Sequence, residues 1–144
     1  MILNPEQHFC PECGAPQVNG LDCWGMLGAI ISWEYDDPEL LAEHFKTVAA
    51  YNLQHPARFE PEAMEGLRRV FVQHIDDGLS IKEIRKQVSA LAKGNRRVLR
   101  HGAGGSQAAL KQWSVTIADV YLPDQPDGAA ERVRSWARSV RREL

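Results

Sequence analysis

Beyond residue 20 the apolar positions recur with the spacing of helices rather than the alternation of strands. Trp24, Leu27, Ile30 and Ile31 share one side of a first predicted helix, and Glu34 continues the spacing. Asp22 suits its N-cap or first turn. Asp36-Asp37-Pro38 breaks that helix, and Pro38 fits the first turn of the next. Leu40, Leu41, His44, Phe45, Val48, Tyr51 and Leu53 form a second, ending before Pro56. A third begins near Pro61, with Met64, Leu67, Val70, Phe71 and Ile75 as its stripe and Gly78 as C-cap. Ser80-Ile81-Lys82-Glu83 is a capping box that opens a fourth. Ile81, Ile84, Val88 and Leu91 face inward on it, and it stops near Gly94.

Two stretches lack this periodicity. Residues 1–20 are punctuated by Pro5, Pro11, Pro16, Gly14 and Gly20 and read as irregular. Residues 94–106, with Asn95-Arg96-Arg97 and a Gly-rich run after His101, read as a mobile loop or linker. Further on, Thr116 caps a short helix to Tyr121, and Pro123 and Pro126 interrupt it. A last helix from about Asp127 to Arg142 puts Ala130, Val133, Trp136, Ala137 and Val140 on one face. Trp113–Thr116 gives the one weak strand signal. The pattern predicts an all-α fold: a bundle of about five to six helices in a single domain over residues 1–144. Its parts are an irregular knuckle at 1–23, a bundle core at 24–94, a flexible loop at 95–112 and a C-terminal helical segment at 113–144.

The chain has 144 residues, 44% apolar and 25% charged, an ordinary globular mix. A chain this long buries roughly 70% of its unfolded surface, enough for a core without staples. The longest apolar run, Met26–Trp33, is far short of the roughly 20 residues of a membrane span. The first residues carry no basic region ahead of an apolar stretch, so no secretory signal is expected and the compartment is expected to be the cytoplasm. A net charge of −2 argues against a surface that grips nucleic acid throughout.

The three cysteines, Cys10, Cys13 and Cys23, all lie in the first sixth of the chain. In a reducing cytosol that clustering points to metal before disulfide. Cys10-Pro11-Glu12-Cys13-Gly14 has the spacing that brings two thiolates onto one ion, with Gly14 permitting the turn. Thiolates favour a soft or borderline ion, and tetrahedral zinc is the common choice. Cys23 is the third ligand. For the fourth, the histidines are His8, His44, His55, His74 and His101. The first two helices join near residue 37 and should lie antiparallel, which puts the end of the second beside Cys23. His55 is at that end, whereas His44 lies about 16 Å away along the helix. Cys10, Cys13, Cys23 and His55 are therefore the expected zinc ligands, with His44 the alternative fourth. The competing reading is a redox CxxC or free buried thiols, but a thioredoxin-type motif follows a strand and opens a helix, and this one does neither.

The same folding-back places His74 near His44, with Glu34 approaching. Glu34, His44 and His74 are thus candidates for a two-histidine, one-carboxylate catalytic or second metal site. The alternative is a buried Glu34–His44 pair that fixes register. Tyr51 shares a face with His44, as a donor between the two ends or as an interior tyrosine. Arg96, Arg97, Arg100 and His101 form one basic cluster and Arg132, Arg134, Arg138, Arg141 and Arg142 another. Such clusters can meet phosphate, but a solvated helix face with cations at its C-terminal end accounts for the second. Trp33, Trp113 and Trp136 read as core or interface anchors.

These residues, taken together, resemble a family. Cys10-Pro-Glu-Cys13-Gly14, Gly-Leu-Asp-Cys23-Trp24, Glu34-Tyr35 before Pro38, His44-Phe-Lys-Thr-Val48, Tyr51-Asn-Leu-Gln54-His55-Pro56, His74, Thr116-Ile-Ala-Asp119-Val120 and Val133-Arg-Ser-Trp136-Ala137 are similar to uncharacterised small bacterial proteins with a domain of unknown function. The resemblance covers most of the chain and implies the same ligand candidates and one domain, but no reaction. One departure is Ala49-Ala50, where the family often has an acid.

Three functions follow as expectations. The chain is a zinc-stabilised helical protein that binds a protein partner or a small molecule, with regulation as its role. Alternatively it is a metalloenzyme using Glu34, His44 and His74, or a redox sensor whose oxidised cysteines release zinc. The oligomeric state is left open.

Overall fold

A computed structural model describes residues 9–92 and 112–144. Seven α-helices lie among the described residues: α1 Cys23–Trp33, α2 Pro38–Ala42, α3 His44–Leu53, α4 Pro61–Asp77, α5 Ile81–Ala92, α6 Ile117–Val120 and α7 Ala129–Glu143. A single 3₁₀ turn, Pro56–Arg58, links α3 to α4. The fold is all-α as expected, and no strand occurs among the described residues beyond the isolated bridges Phe9–Pro16 and Val18–Leu21. Trp113–Thr116, the one strand signal, instead leads into α6, where Thr116 and Asp119 form a capping box. The expected loop at 95–112, with Arg96, Arg97, Arg100 and His101, lies outside the described residues except for Gln112, and so does His8.

Local chemistry sets most helix ends. The Asp22 carboxylate accepts from Gly25 N–H at 2.8 Å and starts α1. Asp37 does the same for Leu40 N–H at 3.1 Å, with Pro38 in the first turn of α2. Gly78, at φ 71°, closes α4 in the left-handed region.

The expected second helix is two. Its break falls at Glu43, whose backbone (φ −99°, ψ 13°) sits in the bridge region. The Glu43 carboxylate is held by Lys46 at 2.7 Å and by Arg134 of α7 at 3.1 Å. Burial works against the charge, but these two cations hold its carboxyl below the usual range. The turn at Glu43 is thus tied to a helix almost a hundred residues away in sequence. Leu40 is buried as expected; Leu41, on the same expected stripe, is exposed, and Thr47, Ala49 and Ala50 are buried as well.

α7 packs against α2, α3, α4 and α6, while α1 packs on α6 and α5 on α4. Ala130, Val133, Trp136, Ala137 and Val140 are buried, as the stripe required. Trp136 donates its indole N–H to Gln54 Oε1 at 3.2 Å, and Gln54 Nε2 donates to the Val115 carbonyl at 2.8 Å. A fully buried amide therefore bridges α3, α7 and the segment before α6, with both ends paired. Trp33 stacks on Tyr121, ring centroids 5.6 Å apart. On α5 only Ile84 is buried among the described side chains; Ile81 and Val88, expected inside, are exposed, because α5 meets the described residues chiefly through α4.

The arginines of α7 are used within the fold. Arg134 meets Glu39, Glu43 and Glu131, Arg138 meets Glu131, and Arg141 makes a forked contact with Asp76. Arg132 donates to the carbonyls of Val120, Gln125 and Asp127.

Candidate metal centre

Three local devices deliver the site. In the first, the chain folds tightly between Cys10 and Ala15. Gly14 N–H donates to the Cys10 carbonyl at 2.8 Å, and Cys10 N–H donates to the Ala15 carbonyl at 2.8 Å. Gly14 has φ 83°, the conformation only glycine adopts without strain. Ala15 N–H points at Cys13 Sγ, 3.4 Å away, which orients the side chain.

The second device is a two-residue turn. Asn19 (φ 56°) and Gly20 (φ 75°) are both left-handed, and Val18 and Leu21 exchange backbone hydrogen bonds at 3.1 and 2.9 Å. This Asn-Gly hairpin turn sends the chain back toward the knuckle and into Asp22 and Cys23, the first residue of α1.

The third is the end of α3. His55 sits just past the helix, and its Nδ1–H donates to the Tyr51 carbonyl at 2.6 Å. The Tyr51 ring stacks on the imidazole with centroids 4.1 Å apart. Glu12, between the knuckle cysteines, accepts from Ala57 N–H at 2.9 Å. The loop that carries His55 and the loop that carries Cys10 and Cys13 are thereby fastened to each other.

The outcome is a group of four donor atoms, from Cys10, Cys13, Cys23 and His55, all within 4.8 Å of one another. Cys13 and Cys23 have their sulfurs 3.5 Å apart. A tetrahedral zinc with bonds of about 2.3 Å to sulfur and 2.0 Å to nitrogen spaces its donors by about 3.5–3.8 Å, close to this arrangement. With Nδ1 committed to a carbonyl, the tautomer leaves a lone pair on Nε2. That Nε2 is buried and has no hydrogen-bond partner. An orphaned imidazole nitrogen costs free energy unless something accepts its lone pair, and a metal ion does so. The donor set therefore fits a metal ion.

The four groups also perturb one another's protonation. Hydrogen bonds from Cys13 and Cys23 pull the Cys10 thiol well below its ordinary value, against the effect of burial. The Cys23 thiol is pushed up by its contacts with Cys10 and Cys13 and by burial. Burial alone would lower the basicity of His55, but the Cys10 and Cys13 sulfurs and the Tyr51 carbonyl raise it to about 10, so a metal ion bound at Nε2 would displace a proton there. Burial and the nearby thiolates push the Tyr51 hydroxyl up as well. Three thiolates cannot share so small a volume without a compensating charge, and a divalent cation supplies it.

The group is the one set of three or more His, Cys, Asp and Glu ligands among the described residues. Glu34, His44 and His74 are arranged differently. His44 Nδ1 lies 2.9 Å from both oxygens of Glu34, a bidentate pair with the carboxylate buried and the imidazole half-exposed. His74 turns away: its Nδ1 meets the Leu79 carbonyl at 2.6 Å just past the end of α4, and its ring lies edge-on to Phe45. That local bond just beyond α4 holds the His74 ring, which does not join Glu34 and His44 in one ligand group. His44→Ala should therefore leave the metal content of the protein unchanged. It should cost about 1–3 kcal/mol by stranding the Glu34 carboxylate, read as a lower denaturant midpoint at constant metal per chain.

Sequence spacing did not reveal two features. Tyr51, expected between the two ends of the bundle, lies wholly at the cysteine end. Trp24, expected inside, is 65% exposed and meets Tyr51 edge-on at 6.3 Å. Adjacency to Cys23 was the available signal: the first residues of a helix that begins at a metal centre face the knuckle rather than the core.

The model of a family of unknown function, DUF5946, matches residues 8–144. The chain belongs to this family. The match spans all four donor residues as well as Glu34, His44 and His74. No curated protein and no solved structure matches the chain.

Proposed function

We propose that the chain is a zinc-stabilised helical module that works by binding a partner, in a regulatory role, with no reaction at the metal. The supporting observation is the donor set: four protein ligands, three of them buried, with the His55 Nε2 orphaned toward the sulfurs. A complete tetrahedral set leaves no position for a substrate, which is the pattern of structural rather than catalytic zinc. Thiolate ligation needs reduced cysteines, so the reading puts the protein in the cytosol. With the α7 arginines engaged by Glu39, Glu43, Glu131 and Asp76, the partner is a protein or a small molecule rather than nucleic acid.

Elemental analysis of protein purified without added metal tests this. About one zinc per chain, with unfolding on addition of a chelator, is expected. Less than about half a zinc per chain, in protein that stays folded with chelator, would refute the reading.

One contact favours a second reading, a thiol-based sensor. Cys13 and Cys23 have sulfurs 3.5 Å apart, and Cys10 is only partly buried. Peroxide would take two thiols to a disulfide and leave as two waters, releasing the ion. A Cys13–Cys23 or Cys10–Cys13 disulfide formed together with stoichiometric zinc release at micromolar peroxide would support it. Zinc retention through that treatment favours the structural reading.

A further inference from the structure

A cleft of about 290 Å³ opens directly beside the metal centre. Cys10, Cys23 and His55, three of the four donors, line it together with the aromatic residues Phe9, Trp24 and Tyr51. Two of these rings are unusually exposed for their size, Phe9 at 59% and Trp24 at 65%. Asp22 is also in the lining. Among the described residues, no Lys or Arg lines it.

The charges give the cleft a sign. A divalent ion with three thiolates and a neutral imidazole carries a net −1, and Asp22 adds another. The N-terminus of α1 contributes roughly +0.5, which the Asp22 carboxylate already meets at Gly25 N–H, 2.8 Å away. The balance is negative. An aromatic ring that turns its face to a ligand adds the negative side of its quadrupole. Rings, a nearby acid and an anionic metal–thiolate centre suit a ligand that is positive, poorly hydrated and apolar at its surface. A compact ammonium ion such as that of lysine holds its water more strongly than an alkylated one does. The volume is at the lower end for a small-molecule pocket, so it admits a head group rather than a large ligand.

We propose that this cleft binds the quaternary ammonium head of a small molecule, seated against Trp24, Phe9 and Tyr51 and facing Asp22 and the metal–thiolate centre. The proposal deepens the partner-binding reading and rests on it for one of its two negative charges.

Titration calorimetry of the metal-loaded full chain tests it, with choline as the probe. The comparison ligand is 3,3-dimethylbutan-1-ol, which has the same shape with carbon in place of the charged nitrogen. Choline should bind about five- to thirty-fold more tightly than the alcohol. Trp24→Leu should remove most of that preference; Trp24 is exposed, so its folding and metal content should be unchanged. Asp22→Asn keeps the N-cap acceptor and should weaken choline several-fold while leaving the alcohol unaffected. Equal affinities for the two ligands, no choline binding at tens of millimolar, or full choline binding by Trp24→Leu would each overturn the proposal. Zinc per chain is counted on the same samples. Failure of the zinc reading appears there, and failure of the cation reading appears in the ratio of the two ligands.

Discussion

Cys13→Ser should abolish metal binding and lower the melting temperature by more than about 10 °C. Cys13 is almost wholly buried, and its sulfur is contacted by Ala15 N–H and by Cys23 Sγ. Serine is a poor zinc ligand and leaves a hydroxyl where a thiolate was. In small metal-dependent folds the metal's binding free energy is folding free energy. Here the bundle has its own core, so the loss is partial; a few kcal/mol in a chain of this length corresponds to about 10 °C. The damage should concentrate in residues 9–23 and the His55 loop, which the ligands and the Glu12–Ala57 contact hold together. Chelator should then lower the melting temperature of the wild type toward that of the variant and barely move the variant itself. A variant that keeps one zinc per chain and its melting temperature would show that Cys13 is not a ligand.

The second large effect lies at the other side of α3. Trp136→Ala should destabilise by about 3–5 kcal/mol through the lost volume alone. The Trp136 indole is also the donor for Gln54 Oε1. Its removal strands a buried acceptor and adds about 1–3 kcal/mol. Trp136→Phe separates the two parts, because it retains most of the apolar area and loses only the N–H. Denaturant titration should place the phenylalanine variant between the wild type and alanine. Metal content measured below the transition should be the same in all three, since Trp136 is not one of the four donors. Equal midpoints for the wild type and Trp136→Phe would mean that the Gln54 bridge contributes nothing.

These two regions also mark how far the sequence could be read. The four donors were legible because their evidence is local. CxxC spacing, a third cysteine at a helix start and a histidine at a helix end need only helix length and one antiparallel turn. The ends of α1, α4 and α6 were legible for the same reason, through Asp22, Gly78 and Thr116. What stayed hidden depends on contacts across the chain. The break at Glu43 is fixed by Arg134, and nothing near residue 43 announces it. The Gln54–Trp136 bridge joins residues 82 apart. Helical periodicity also overstated burial on α5, where Ile81 and Val88 are exposed, since a stripe shows which face is apolar and not whether anything covers it. The turn at Asn19-Gly20 has a local signal, since the dipeptide is the strongest short-range mark of a hairpin turn, but the surrounding Pro and Gly residues hide it within an irregular segment. His74 was misplaced with Glu34 and His44 because reflection about a turn gives height along the bundle but not rotation about a helix axis.

No helix among the described residues is long and apolar enough to cross a membrane. The chemistry of the chain is concentrated at one end, where the knuckle, Tyr51, Trp24 and the cleft meet. Glu34 and His44 form a bidentate pair apart from that group, with the carboxylate buried and the imidazole half-exposed.

The central claim is that Cys10, Cys13, Cys23 and His55 hold one zinc ion between them. X-ray absorption at the zinc edge, on protein purified without added metal, tests it most directly. The account predicts three sulfur scatterers at about 2.3 Å and one nitrogen at about 2.0 Å, with the nitrogen lost in His55→Ala and retained in His44→Ala. A shell of oxygen and nitrogen without sulfur, or a nitrogen that survives His55→Ala and disappears with His44→Ala, would contradict it.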